Sequence, residues 1–328
     1  MKVGSEFDSF ALLPDELMVR IFSYCIDLRS KFGLDQVSRR FKRCNADPSA
    51  WNKHSTLEFH TTNSEGVWSF NSIVFNVPSA ADNLGRGVSA LLSRVESVTE
   101  FRFSVTRPYT SVDNYIREII CTKIWSHPDK LNLNSVELRD DYFLSVTADI
   151  FNWCLVNFGS QLSRVVLSLH NQYRAIPSLA SHMQLQLLRE HCPRVTDLVL
   201  GGSVLDPGRV GHFLSAKHLN KLKLWYLADL TVDSLAEMWR CIPIKNRLIT
   251  TLTLAEMPNF LFNRFSLALE GDVFPQLRRL YIENCSSSVE NLENLAQMFK
   301  PFPNLEWIVV ETIFVETERA AIWVGWHR

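Results

Sequence analysis

An apolar triplet with the spacing L-x-x-L-x-L recurs eight times in the chain, and this recurrence limits the possible folds more than any other feature. The triplets are Val98-Phe101-Phe103, Leu133-Val136-Leu138, Leu162-Val165-Leu167, Val195-Leu198-Leu200, Leu219-Leu222-Leu224, Ile249-Leu252-Leu254, Leu277-Leu280-Ile282 and Leu305-Ile308-Val310. Their middle members follow one another at intervals of 24 to 35 residues, which is the spacing of a structural repeat. The sequence therefore predicts an α/β solenoid in which each unit covers the apolar face of its neighbour.

Helical patterns fill the intervals between the triplets. We predict helices at residues 111–125, 142–158, 178–191, 207–216, 231–241, 259–269 and 287–299. Upstream of the triplets, β-rich runs at residues 56–59 and 72–77 predict two short strands separated by the polar residues 63–66. The tail from Phe314 to Arg328 ends the periodicity, and we expect it to cap the last repeat.

The stretch from Leu12 to Trp51 is dense in large apolar side chains and has helical spacing instead. Pro14 suits a first helical position, and the acidic residues behind it complement the positive end of a helix dipole. On this helix two adjoining rows are apolar: Leu17, Ile21 and Tyr24 form one, and Met18, Phe22 and Cys25 form the other. A module well below about 70 residues can hardly bury all of these side chains, so some must face a partner.

This stretch resembles an F-box in five segments that keep their order and spacing: Leu13-Pro-Asp-Glu-Leu17, Ile21-Phe-Ser-Tyr24, Asp27-Leu28, Val37-Ser-Arg-Arg-Phe41 and Asp47-Pro-x-x-Trp51. It departs from the family pattern at residues 31–36, where polar residues interrupt an apolar run, and we expect an irregular second helix there. The resemblance implies that a Skp-type adaptor is bound through Leu13, Pro14, Leu17, Ile21, Phe22, Leu28, Val37, Phe41 and Trp51.

The later repeats are similar to leucine-rich repeats of the cysteine-containing kind, most clearly in Leu277–Cys285 and Cys192–Val195. The resemblance implies a curved parallel sheet with helices on the convex side. Because side chains on a strand alternate between faces, the residues between the leucines should reach the concave surface. Basic and aromatic residues collect there in the later repeats and are the types enriched at binding hot spots. The residues expected to bind a protein substrate are Lys221, Lys223, Trp225, Arg279, Tyr281, Glu283 and Trp307; a mixed surface with no binding role is the alternative.

Composition excludes several classes of protein. The 328 residues carry a formal net charge of −1, which argues against sequence-independent binding of nucleic acid. No segment reaches the length of a membrane span, and the first ten residues lack the apolar run of a secretory signal. The seven cysteines are odd in number and widely spaced, so they predict neither a disulfide framework nor a zinc site. A reducing compartment, cytoplasm or nucleus, is expected.

We find no catalytic constellation in the sequence. The segment Gly85-Arg-Gly87-Val-Ser-Ala90 superficially matches a dinucleotide-binding loop, but it is too far from the preceding strand and is better explained as a glycine-containing helix start. The basic residues 39–43 are best explained as the solvated face of a helix whose Val37 and Phe41 point inward, with nucleic-acid contact or a localisation signal as the alternative. We therefore expect a non-enzyme with no cofactor and no metal.

These observations predict four segments: an F-box at residues 8–53, a connector with irregular first repeats at 54–95, leucine-rich repeats at 96–313, and a cap at 314–328. The resemblance implies a substrate-recognition subunit of an SCF (Skp-cullin-F-box) ubiquitin ligase. Its F-box would bind the adaptor and through it a cullin, while its repeats would bind the protein substrate. The alternative is a non-catalytic repeat scaffold that does not direct ubiquitination.

Overall fold

The structure is a computed structural model of the chain. It describes residues 13–25, 27–61, 67–71, 73–76, 81–106, 112–140, 145–169, 179–202, 207–214, 219–225, 238, 240, 248–256, 274–283, 302, 304–311, 313–315, 318–320 and 324–327. The chain forms two compact units. The first comprises residues 1–103 and 109–133, and the second comprises residues 104–108 and 134–328.

The first unit begins with three short helices, α1 (Asp15–Ser23), α2 (Leu28–Val37) and α3 (Arg39–Asn45), followed by a 3-10 turn at Pro48–Trp51. Polar side chains define where they start. Asp27 accepts a hydrogen bond from the Ser30 N–H at 2.7 Å, and Ser38 accepts one from the Phe41 N–H at 3.1 Å. Because Ser38 caps a new helix, Val37 and Phe41 lie on two helices, α2 and α3, and not on the single helix that the sequence pattern predicts.

The rest of the first unit contains both strands and helices. Its sheet has the order β4-β1-β2-β3, with β1 (Thr56–Thr61), β2 (Val67–Phe70), β3 (Ile73–Asn76) and β4 (Val98–Val105). Two helices accompany the sheet: α4 (Ala81–Leu92) and α5 (Val112–Ile119). A π-helical turn at Ile120–Ile124 continues α5, and a 3-10 turn follows at Pro128–Lys130.

Upstream of the first triplet the sequence pattern predicts two strands, whereas the described residues form three, and the pattern misses β2. The turn between β2 and β3 depends on Asn71, whose φ of 44° lies in the left-handed region that asparagine tolerates. Its side-chain amide also donates to the Thr56 carbonyl at 2.8 Å and accepts from the Glu58 N–H at 2.7 Å. One residue thus makes the turn and ties it to β1.

The second unit is built on a sheet with the order β5-β6-β7-β8-β9-β10-β11-β14. Its parallel strands are β5 (Leu131–Asp140), β6 (Arg164–Leu169), β7 (Asp197–Gly201), β8 (Lys221–Trp225), β9 (Thr251–Ala255), β10 (Arg279–Glu283) and β11 (Trp307–Glu311). The described helices that alternate with them are α6 (Ser145–Phe158), α7 (Leu179–His191) and α8 (Pro207–Leu214). The alternation of strand and helix predicted from the triplets is confirmed.

The triplet residues form the core, as the periodicity predicts. Leu198 is in register with Leu222, which is in register with Leu252, and the alignment continues through Leu280 to Ile308. Every triplet side chain that the structure describes is at most 4% exposed. The leucines of neighbouring units therefore stack directly on one another.

One predicted helix start is corrected by the structure, and several predicted helices lie outside the described residues. Helix α4 begins at Ala81, so the glycine-containing segment at 85–90 lies inside a helix and not at its start. The helices expected at 259–269 and 287–299 lie outside the described residues, as does all but Met238 and Arg240 of the one expected at 231–241. In the tail, β12 (Ile313–Val315) pairs with β13 (Glu318–Ala320), and β14 (Val324–His327) pairs antiparallel with β11.

Candidate functional site

Helix α1 has one buried and one exposed apolar row. Met18 and Phe22 are buried at 0% and 3% exposure and face the core of the helical module. Leu17, Ile21 and Tyr24 remain 46%, 43% and 63% exposed. We call these three side chains the exposed row. The sequence predicts both rows, and the structure shows which of them packs inside.

Charged residues of α3 fix the start of α1. Asp15 accepts hydrogen bonds from Arg40 Nε at 2.7 Å and from Arg43 at 2.6 Å, and these contacts lower the pKa of the Asp15 carboxyl. Arg40 also donates to the carbonyl of Leu13. Two residues of the basic run at 39–43 thus position the first helix instead of only facing solvent. Val37, expected to point inward, is instead 62% exposed.

The nine predicted adaptor contacts differ in accessibility. Four are exposed: Pro14, Leu17, Ile21 and Val37. Two are half-buried: Leu13, and Phe41, whose ring lies 5.2 Å from that of Phe22. Three are buried: Phe22, Leu28 and Trp51. The buried three are not available at the surface of the unbound module, and we reassign them to its core.

The sequence analysis missed a buried lysine at the centre of the module. Helix α2 is regular across residues 31–36, and Lys31 on it is 0% exposed. The Lys31 ammonium donates to the carbonyls of Phe22 and Ala50 and lies 5.2 Å from the centroid of the Trp51 ring. Burial lowers the pKa of Lys31 to about 8. Lysine is normally a surface residue, so hydrophobic periodicity gives no signal for this position.

Polar contacts extend from Lys31 to the end of α4. The Asn45 amide donates to the Lys31 carbonyl at 2.8 Å and to Asp35 at 2.9 Å, while Trp51 donates to the Asn45 carbonyl at 2.5 Å. Asp35 is also paired with Arg94, and both side chains are less than one-fifth exposed. Asp35 was expected to disturb the second helix, but it joins that helix to the residues just beyond α4.

The parallel strands of the second unit carry the predicted substrate residues in register, and three rows cross the face opposite the leucine core. The first row runs through Lys221, Thr251, Arg279 and Trp307; the second through Lys223, Thr253, Tyr281 and Val309; and the third through Trp225, Ala255 and Glu283. All seven predicted substrate residues lie in these rows. They come from three strands that are at least 23 residues apart in sequence.

In the third row, Trp225 contacts other residues of the same sheet. Trp225 lies against Gly201 of the neighbouring strand: a Cβ at Gly201 would meet the indole at 3.0 Å and the Trp225 carbonyl at 2.9 Å. The guanidinium of Arg139, on β5, lies 5.7 Å from the centroid of the same indole ring. Glycine at position 201 therefore makes room for the tryptophan on the sheet.

A salt bridge joins the second and third rows across an intervening strand. The Lys223 ammonium lies 2.5 Å from a Glu283 carboxylate oxygen, although Lys223 is on β8 and Glu283 is on β10. Register places the small residue Ala255 next to Glu283 on the strand between them. Two of the predicted substrate residues thus already satisfy each other's charge.

Neither a metal cluster nor a membrane span is found within the described ranges. No group of three or more His, Cys, Asp or Glu side chains there could hold a metal ion. Similarly, no helix in that part of the chain is both long and apolar enough to cross a bilayer. Of the two cysteines in the segments that resemble leucine-rich repeats, Cys192 is fully buried, and Cys285 lies outside the described residues.

Comparisons with known proteins found one family model and similar solved structures. Residues 10–56 match a family model described as F-box-like. Among solved structures, the leucine-rich repeat-containing protein LegL7 from Legionella pneumophila is similar at 15% identity, covering 74% of this chain and 73% of LegL7 with a TM-score of 0.44. Among curated proteins, none matches this sequence.

Proposed function

We propose that this chain, which has an F-box-like domain at its N-terminus followed by a leucine-rich-repeat-like parallel sheet, is a substrate receptor of an SCF ubiquitin ligase. The F-box-like domain binds a Skp-type adaptor and through it a cullin. The repeat sheet binds the protein that is to be modified. The chain acts by holding two proteins near each other, and the ubiquitin-transfer chemistry belongs to its partners.

The observation that carries the proposal is the exposed row on α1. Fully burying a leucine or isoleucine contributes about 1.5–3 kcal/mol, so side chains left nearly half exposed on a small helical module represent binding energy that a partner can recover. The match to an F-box-like family supports an adaptor as that partner. Two other residues of the predicted set, Pro14 and Val37, are exposed as well.

The structure leads us to divide the proposed docking residues by role. Pro14, Leu17, Ile21 and Val37 make the contacts, with Leu13 and Phe41 at the margin. Phe22, Leu28 and Trp51 support them from below, since Phe22 contacts Phe41 and Trp51 stacks near Phe32 at 5.4 Å. Substituting a supporting residue should unfold the module, whereas substituting a contact residue should leave it folded.

The test is a double substitution on the exposed row, Leu17→Ser with Ile21→Ser, in the full chain. We expect affinity for a purified Skp-type adaptor to fall by at least about tenfold while the circular dichroism spectrum is unchanged. The matched control is Val156→Ser with Met183→Ser, which removes two apolar side chains of similar exposure, 51% and 46%, from α6 and α7. Equal adaptor affinity in the Leu17/Ile21 variant and the parent would contradict the proposal.

A scaffold that binds the adaptor but does not direct ubiquitination is the alternative. Affinity purification of the full chain followed by mass spectrometry separates the two. A receptor brings down the adaptor together with a cullin, and its bound proteins accumulate when ubiquitin transfer is blocked. A scaffold co-purifies with the adaptor alone, or with neither subunit. The amount of its bound proteins does not change when ubiquitin transfer is blocked.

A further inference from the structure

The three rows of the repeat sheet differ in whether their charges are already neutralised. In the second and third rows, Lys223 is paired with Glu283, and Trp225 is covered by Arg139. Arg139 is itself 2.6 Å from Glu137, so its charge is balanced as well. These side chains would have to break existing contacts before they could bind a partner.

The first row is different. Lys221 and Arg279 are both exposed, and neither makes an ion pair or side-chain hydrogen bond within the part of the chain that the structure describes. The next cation in the same row, Arg164, is balanced by Asp197 at 3.9 Å. Within the described residues, two positive charges without an ion-pair partner therefore lie in line across β8 and β10. We call Lys221, Thr251 and Arg279 the open row.

The spacing of the open row suits a single anionic group. Lys221 and Arg279 flank Thr251 in register, one strand to either side, and neighbouring strands lie about 4.8 Å apart. Both cationic side chains are long enough to reach a group placed above Thr251, and the threonine hydroxyl can donate to the same group. Trp307 follows Arg279 in register on β11 and is 42% exposed, which adds an apolar contact beside the charged one.

The surroundings favour a protein segment over a nucleic acid. Nucleic-acid binding relies on neutralising many phosphates, but the open row offers two cations, and the carboxylate-bearing Asp197 is in register with Lys221 on the neighbouring strand. A long polyanion would extend past the two cations towards this carboxylate, whereas a single acidic side chain above Thr251 needs only the two cations. An exposed sheet face crossed by rows of side chains also suits an extended peptide.

We propose that the open row binds an aspartate or glutamate side chain of an extended acidic segment in the partner protein, with an apolar residue of that segment packed on Trp307. This proposal rests on the proposed function, because it names the class of substrate that the repeats recognise. It also moves the recognition site from the self-paired Lys223, Glu283 and Trp225 to the start of the strands. Charge-assisted hydrogen bonds to lysine and arginine supply the specificity.

The probe is an immobilised array of randomised twelve-residue peptides, half of them containing phosphoserine, incubated with the full chain. The strongest binder is then labelled with fluorescein, and its affinity is measured by fluorescence anisotropy. We expect retained peptides to be enriched in aspartate or glutamate together with an aromatic or aliphatic residue. Lys221→Gln with Arg279→Gln should weaken the labelled peptide by at least about tenfold.

The matched control is Lys223→Gln with Glu283→Gln, which removes the salt bridge on the same face without changing the net charge. We expect this variant to keep the parent's affinity. The proposal is overturned if retained peptides show no acidic enrichment or if the control loses as much affinity as the open-row variant. It is also overturned if retained peptides carry phosphoserine in preference to glutamate at the same position. A further contradicting result would be an open-row variant that binds the acidic peptide as the parent does and loses binding only to a fluorescein-labelled single-stranded oligonucleotide.

Adaptor binding is measured separately on the same preparations. If the adaptor does not bind but acidic peptides do, and the open-row variant loses them, the proposed ligase function fails while the acidic-segment site stands. If the adaptor binds and peptides are retained without acidic enrichment, the opposite holds.

Discussion

The buried ammonium of Lys31 makes the stability of the helical module depend on pH in a direction that can be calculated. Lysine has an ordinary pKa of 10.5, and burial lowers the pKa of Lys31 in the folded protein to about 8. Below pH 8 both folded and unfolded chains hold the proton, and folding carries the full cost of burying the charge. Between pH 8 and 10.5 the folded chain releases the proton first, so the unfolded chain binds more protons and stability rises with pH.

The two pKa values set the size of the effect. The shift corresponds to about 3 kcal/mol in total, and integrating the titration from pH 7 to pH 10 gives a gain of about 2.5 kcal/mol. Burial lowers the pKa of His54 from its ordinary value of 6.5, which moves its titration away from this range. The stability of the rest of the chain can also change with pH, so the gain must be measured as a difference from a variant.

The variant is Lys31→Met, which keeps the length of the side chain and removes the charge. It also leaves the carbonyls of Phe22 and Ala50 without the ammonium donor, a cost that shifts its stability by a constant amount at every pH. We therefore expect the free energy of unfolding of the parent minus that of the variant to increase by about 2.5 kcal/mol from pH 7 to pH 10. Urea unfolding followed by tryptophan fluorescence measures it, since Trp51 lies against Lys31.

The solvent-exposed Lys42 on α3 provides the control, because Lys42→Met removes a lysine from the same module without removing a buried charge. The free energy of unfolding of the parent minus that of this control should stay constant across the same pH range. A level difference for Lys31→Met as well would refute the reasoning, because it would mean that the ammonium is hydrated in the folded protein.

Two further predictions concern packing and ion pairing. Gly33→Ala should stabilise the chain by about 0.5–1 kcal/mol, because nothing lies within 4 Å of the added Cβ on α2. Gly201→Ala should destabilise it by about 1–3 kcal/mol, because the added Cβ would contact Trp225. The midpoints of urea unfolding measure both changes, and a change of the same sign for the two variants would contradict the assignment. A double-mutant cycle of Arg94→Ala and Asp35→Asn should give a coupling of about 1 kcal/mol or more, because both side chains are largely buried, and a value near zero would mean that the pair does not brace α2.

The sequence predicted the repeat sheet well because one physical requirement governs it. Each unit must bury its leucines against the next, so the triplet positions 222, 252 and 280 carry both the fold and its register. The helical module is harder to predict because its two apolar rows are equivalent in sequence. Only packing decides that Met18 and Phe22 face inward and Leu17 and Ile21 outward.

The features that escaped prediction depend on particular contacts between distant residues. Lys31 is buried because two carbonyls and the Trp51 ring surround its ammonium, and none of these is near it in sequence. The Lys223–Glu283 bridge spans 60 residues, and alternation along a strand predicts that both side chains share a face but not that they pair. The open row becomes visible only after such pairs have been identified.

The register of the repeat sheet separates folding from recognition at the level of single positions. On β9, for example, Leu252 and Leu254 face the core, while Thr251 and Thr253 face the other side. A substitution at 251 can therefore alter what the sheet binds without changing what holds it together, and each strand offers such positions independently. A new partner could be acquired one strand at a time, by residues that never enter the core.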